Sequence, residues 1–122
     1  MKDYYSKKLS AERLRQVFEI APDRVKQYLL SEISFVMEKL KPDDLVLELG
    51  CGYGRVMDKL AKKVQTVIGI ETSLDNLYLA NKSNLGSSCW LSAMNAVNLG
   101  FCDQCFDVVV CIQNGISAFN IN

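Results

Sequence analysis

Apolar positions follow two different rhythms along this chain, and the change falls close to residue 44. Across 10–20, Leu14, Val17 and Phe18 recur at helical spacing, and Ala21-Pro22-Asp23 interrupts them before a second helix, with Asp23 expected as its cap. Val25, Leu29, Ile33, Val36, Met37 and Leu40 form one stripe that stops at Lys41-Pro42-Asp43-Asp44. A helix striped in this way is expected to pack on a sheet. Beyond the break, continuous apolar runs replace stripes. Leu45-Val46-Leu47-Glu48-Leu49 predicts a short buried strand, stopped by glycines at alternate positions. Residues 55–63 return to helical spacing with Val56, Met57 and Leu60 inward, and Thr66-Val67-Ile68-Gly69-Ile70-Glu71 predicts a second strand. Ser73, Leu74, Leu77 and Tyr78 open a further helix reaching Lys82. A third strand is expected over 88–91, and 106–112 carries the strongest strand signal of the chain.

Strand, helix, strand, helix is the pattern of a parallel sheet, so the fold class is α/β with two helices before the first strand, and in a Rossmann-like arrangement the strands would lie in the order 3-2-1-4. The expected organisation is one domain, with N-terminal helices over 1–43 and the strand–helix unit over 44–122. A length of 122 residues, 49% of them apolar, has room for one core. Fourteen basic and fourteen acidic residues cancel, which leaves no overall field to gather nucleic acid or a membrane surface. No apolar run approaches the ~20 residues of a membrane span. Five cysteines without a secretory leader predict a reduced, cytoplasmic setting. The absence of histidine removes Ser-His and Cys-His catalysis and every zinc set that needs an imidazole. Cys102-Asp103-Gln104-Cys105 is a single CxxC with no second pair, and it precedes a strand instead of opening a helix, so no metal or redox role is expected. Cys51, Cys89 and Cys111 are expected as small buried residues, and Trp90 and Tyr53 as core or cofactor-lid positions.

The chemistry concentrates after the first strand. Glu48-Leu49-Gly50-Cys51-Gly52-Tyr53-Gly54 supplies three positions where backbone can turn sharply and approach a ligand with no Cβ in the way. Glu71 closes the second strand 21 residues beyond Gly50, where an acid can accept bonds from both hydroxyls of an adenosine ribose. Two cofactor classes share that layout. NAD enzymes use Gly-x-Gly-x-x-Gly and hold a pyrophosphate, but Arg55 stands where their third glycine would be. Glu48 would also repel a pyrophosphate, whereas it suits the cationic methionine end of S-adenosylmethionine.

With these residues in view, Leu47-Glu48-Leu49-Gly50-Cys51-Gly52-Tyr53-Gly54 resembles motif I of the class I S-adenosylmethionine-dependent methyltransferases. Val67-Ile68-Gly69-Ile70-Glu71-Thr72-Ser73 is similar to that family's second strand with its ribose-binding acid. The stretch from Asn95-Ala96-Val97-Asn98-Leu99 to Phe106-Asp107-Val108-Val109 resembles the family's Asp-Ala-x-x-Leu-Pro-Phe-x-x-x-x-Phe-Asp-x-Val. The resemblance runs from Asp44 to Phe119. It implies a Rossmann-like half-domain with S-adenosyl-L-methionine across the carboxyl ends of strands 1 and 2. Carried onto this chain, it passes the cofactor over Gly50, Cys51, Gly52, Tyr53 and Gly54, sets Glu48 toward the methionyl ammonium and gives the ribose to Glu71. Thr72 and Ser73 would border the adenine, Asn95 would accept its amino proton without charge, and Ala96 would supply a backbone donor. Gln113 and Asn114 would face the methyl group and acceptor as catalytic candidates, with Gly115 allowing the turn. The acceptor is unidentified, and neutral net charge favours a small molecule. A cofactor-binding domain without turnover and an NAD-dependent oxidoreductase are the alternatives.

The family's sheet has seven strands, of which four are expected here. The fourth, apolar on both faces and without a protective lysine or proline, reads as a central strand. The expectation is therefore a chain that continues beyond these residues, or a homo-oligomer in which another copy pairs with this edge, and weak catalysis by the 122 residues alone.

Overall fold

The computed structural model describes residues 11–112. Four parallel strands, β1 (Leu45–Leu49), β2 (Thr66–Glu71), β3 (Cys89–Ala93) and β4 (Val108–Val110), lie side by side in the order β3-β2-β1-β4. Helix α1 (Ala11–Glu19) and helix α2 (Asp23–Lys39) precede the sheet, α3 (Arg55–Leu60) connects β1 to β2, and α4 (Leu74–Lys82) connects β2 to β3. This is the Rossmann-like α/β arrangement expected from the sequence, with the same strand order.

Register explains which side chains form the core. Val46 pairs with Val67 and Val108, and Glu48 with Gly69 and Val110, so these residues share one face of the sheet. Against that face pack Ile33 from α2, Leu40 just beyond its end, Val56, Met57 and Leu60 from α3, and Val64, forming one buried cluster. The stripe on α2 thus packs as expected at Leu29 and Ile33, although Val25 is exposed because α2 overhangs the core at its start. The Lys63 ammonium donates to the Met37 carbonyl, tying the turn after α3 to the end of α2.

Several boundaries differ from the sequence expectation, each for a local reason. Asp23 does not cap α2; Pro22 holds the cap position with φ −57° and no side-chain hydrogen bond, and Asp23 is the first helical residue. Proline fixes φ near the helical value, which leaves the acid to act on the first-turn amides by charge alone. Helix α3 ends at Leu60, short of Lys63, because Lys62 and Lys63 donate three residues back, to Lys59 and Leu60, and tighten the coil out of α-geometry. Strand β3 runs Cys89–Ala93, one residue later at its start and two at its end than expected. On α4 the exposed residues include Leu74 and Tyr78, while Asn76 and Ala80 are buried, so the apolar spacing there did not mark the inner face.

The largest difference is β4. It is three residues long, not the seven of 106–112. It pairs with β1 at three positions, Val46 with Val108, Leu47 with Val109 and Glu48 with Val110. At its entrance Phe106 packs edge-on against Phe101 at 4.9 Å, and the Asp107 carboxylate accepts from the Leu45 amide at 2.7 Å while the Asp107 amide donates to the Leu45 carbonyl at 2.9 Å. Asp107 therefore clamps β4 to β1 by side chain and backbone together. Among the described residues no strand pairs with the other side of β4. Nor is any helix among them long and apolar enough to cross a membrane.

Candidate functional site

In a parallel sheet the loops leaving the carboxyl ends of adjacent strands converge, and here the converging loops are those after β1, β2 and β3. The β1 loop is set by its glycines: Gly50, Gly52 and Gly54 take φ of 67°, 58° and 92°, values that cost a residue with a Cβ about 1 kcal/mol or more each. Between the first two, the Cys51 amide donates to the Ile70 carbonyl at 2.9 Å, extending the β1–β2 ladder one step past the strand. Gly54 then caps α3, where a Cβ would stand 3.1 Å from the Leu85 side chain.

Glu71 ties this loop to the end of β2. Its Oε1 accepts from the Gly52 amide at 3.0 Å, and its Oε2 accepts from the amides of Thr72 at 2.8 Å and Ser73 at 3.0 Å. A carboxylate offers about four acceptor sites, so Oε2 is saturated and Oε1 keeps capacity for a further donor. Ser73 turns its hydroxyl to the Asn76 amide and caps α4. The Met94 amide donates to the Glu71 carbonyl at 3.2 Å, which brings the 94–98 segment beside the same strand end. There the Asn95 amide oxygen accepts from the Val97 amide at 3.0 Å in a local turn, with one lone pair remaining. Ala96 is half-buried beside it.

Glu48 lies below the loop, 4% exposed, with its Oε1 lacking any hydrogen-bond partner. Burial pushes its carboxyl up to about 8; the Arg55 guanidinium opposes the rise, the Glu71 carboxylate adds to it, and a backbone bond from Met57 opposes it. Cys51, next in the loop, is buried, and its thiol is driven well above the usual range by burial and by Glu48.

The structure thus brings Glu48, Gly50, Cys51, Gly52, Tyr53, Gly54, Glu71, Thr72, Ser73, Asn95 and Ala96 to one end of the sheet. Gln113 and Asn114 lie outside the described residues. Trp90 is neither core nor lid at this end, because it sits on the edge strand β3 and is 62% exposed. Cys89 and Cys111 are half-buried, and Cys102 and Cys105 are exposed on either side of Gln104, whose φ is 55°. Among the described residues no group of three potential metal-ligating side chains converges.

Sequence reasoning missed two contributors. Gly69, in the middle of β2, stands where a Cβ would come within 2.8 Å of Cys51 Cβ and Sγ and 2.9 Å of Met57 Sδ, so only glycine lets the loop and α3 close onto the strand. A glycine inside an otherwise apolar strand was the available signal. The second is Phe18 of α1, whose ring lies 6.2 Å from Tyr53 and 4.2 Å below the Arg55 guanidinium. It draws α1 over the glycine loop, and nothing in the local sequence of α1 pointed to that contact.

A family model described as a methyltransferase domain matches residues 46–122, well over half of the chain, and this stretch covers the sheet from the second residue of β1 onward. The chain belongs to the methyltransferase-domain family. Solved structures of this domain agree in fold. A dimethyladenosine transferase from Plasmodium falciparum is 29% identical with a TM-score of 0.60, covering 74% of this chain and 33% of its own. A SAM-dependent methyltransferase from Methanosarcina mazei is 28% identical with a TM-score of 0.56, covering 62% of this chain and 39% of its own. The [4+2]-cyclase SpnF, at 23% identity and a TM-score of 0.59, shares the fold over 65% of this chain and 32% of its own. This methyltransferase-domain chain therefore spans well under half the length of these structures. A search of curated proteins found no match.

Proposed function

We propose that this chain binds S-adenosylmethionine across the carboxyl ends of β1 and β2 and serves methyl transfer to an acceptor. The observation that carries the reading is the link between the left-handed glycine loop and Glu71, in which Gly52 donates to Oε1 and leaves that oxygen room for a ribose hydroxyl. In this assignment Glu71 holds the ribose, Thr72 and Ser73 border the adenine, and Asn95 with the Ala96 backbone meets its edge. Glu48 faces the methionyl ammonium, and the remaining lining comes from Gly50, Cys51, Gly52, Tyr53 and Gly54. The orphaned, buried Oε1 of Glu48 fits a cationic group and not a pyrophosphate. Arg55, stacked on Phe18 where an NAD site needs a bare glycine, points the same way.

When bound, the cofactor supplies a methyl group carried on a positively charged sulfur. The chain's part is to fix the nucleoside and exclude water, with Gln113 and Asn114 proposed toward the acceptor. Balanced charge favours a small-molecule acceptor, and the odd count of five cysteines favours the reducing cytoplasm. The unpaired side of β4 is proposed to receive another strand, from a second copy or from further chain. A second reading, binding without methyl transfer, is favoured by the shared fold of a protein described as a [4+2]-cyclase.

Isothermal titration separates an S-adenosylmethionine site from an NAD site. S-adenosylhomocysteine is expected to bind with micromolar affinity and NAD to give no heat. A rise in melting temperature with NAD and none with S-adenosylhomocysteine would overturn the assignment.

A further inference from the structure

Glu48 occupies an unusual position for an acid. It is the one ionisable side chain on the inner face of β1, level with Gly69 and Val110 in the register and covered by α3. Its Oε1 is shielded from solvent and has no partner, a state that a carboxylate tolerates poorly and a neutral carboxylic acid tolerates better. Two charged groups reach it: Arg55 at the start of α3 favours the anion and Glu71 at the end of β2 disfavours it, while the Cys51 thiol in the loop and the Cys89 thiol on β3 feel its charge. One cation and one anion nearby leave burial as the deciding influence.

We propose that Glu48 is a specificity-determining proton exchanger: it is neutral in the empty site and surrenders its proton when the ammonium of an amino-acid-bearing ligand docks beside its free oxygen. The inference rests on the proposed cofactor. No atom is consumed; the carboxyl O–H breaks, its proton goes to solvent, and the ammonium takes its place as the group facing the oxygen. Selectivity follows from the exchange. A ligand with the ammonium stabilises the anion and is retained, whereas a nucleoside thioether lacking the amino acid leaves a buried neutral acid undisturbed and gains nothing from it.

The sign is fixed by linkage. Below pH 8 the empty protein holds a proton that the complex lacks, so binding releases it and affinity strengthens as pH rises through this range. The chain has no histidine, which leaves pH 6 to 7.5 almost clear of other titrating side chains.

The test uses the chain with two probes, S-adenosylhomocysteine and 5′-methylthioadenosine, titrated calorimetrically in buffers of different ionisation heat. Close to one proton released with S-adenosylhomocysteine at pH 6.5, none with 5′-methylthioadenosine, and an affinity that gains about tenfold per pH unit between 6 and 7.5 are expected. Glu48→Gln should abolish both the release and the pH dependence. A second measurement needs no ligand. A carboxyl raised in the folded state contributes stability that is complete below its unfolded value of 4.5 and is lost as pH rises through its folded value near 8. The urea midpoint of the empty protein should therefore fall between pH 5 and 8, and Glu48→Gln should flatten that fall. Absence of binding by S-adenosylhomocysteine would overturn the cofactor, not this carboxyl. A flat urea midpoint, or binding with no proton released, would overturn the exchange itself.

Discussion

The two flanks of β1 are built on opposite terms. Toward β2, the ladder runs the full length of β1, continues through the Cys51 amide, and ends in a carboxylate that gathers three backbone amides. Toward β4, the ladder holds three residue pairs, and Val109 is 55% exposed in the middle of the strand. The same central strand therefore joins a flank whose geometry is over-determined by local bonds to one held by a short ladder and the Asp107 clamp at its entrance. A cofactor loop has to be shaped before its ligand arrives, because misplacement costs affinity directly. An edge that receives further strand can stay short and open until it is paired.

That contrast can be broken most severely at Gly69. Alanine there must displace Cys51 or Met57, and Gly69→Ala is expected to destabilise the chain by about 1 to 3 kcal/mol, read as a lower urea midpoint. Stability equal to the parent would show that the loop is not held against β2 as described. Glu71→Ala acts on the same flank through hydrogen bonds, and should weaken S-adenosylhomocysteine by about 1 to 3 kcal/mol in isothermal titration. An unchanged dissociation constant would remove Glu71 from the site.

Smaller effects test the outer contacts. Phe18→Ala removes the ring under Arg55 and beside Tyr53 and should cost about 0.5 to 1 kcal/mol of stability, with faster dissociation of S-adenosylhomocysteine in stopped flow. Equal dissociation rates would mean that α1 does not cover the ligand. Val109→Lys, on the open flank, should change stability by no more than about 0.5 kcal/mol, since the side chain is already half in water. Light scattering gives that variant its second use: a parent that self-associates should become monomeric with lysine on the β4 edge, and an unaltered mass would place any self-association elsewhere.

Much of the site was legible before any coordinates. Strands β1 and β2 begin and end where the apolar runs do, and Glu48, the three loop glycines and Glu71 stand together as their spacing implied. These features are encoded within a few residues of one another. A Cβ-free backbone is needed wherever φ is positive, and a buried parallel strand needs an uninterrupted apolar run. The strand order agreed as well with the doubly wound arrangement expected of alternating strands and helices.

Tertiary structure decided the rest. The apolar run at 106–112 could not reveal that only Val108–Val110 would pair with β1, so β4 is short despite its composition. The spacing of Leu74 and Tyr78 could not reveal that α4 would turn Asn76 and Ala80 inward. Nor could the sequence show that Phe18 reaches Tyr53 and Arg55 across more than thirty residues, or that Gly69 is the surface on which Cys51 and Met57 close. Local backbone requirements are written in neighbouring residues, while close packing between distant segments depends on which surfaces the folded chain brings into contact.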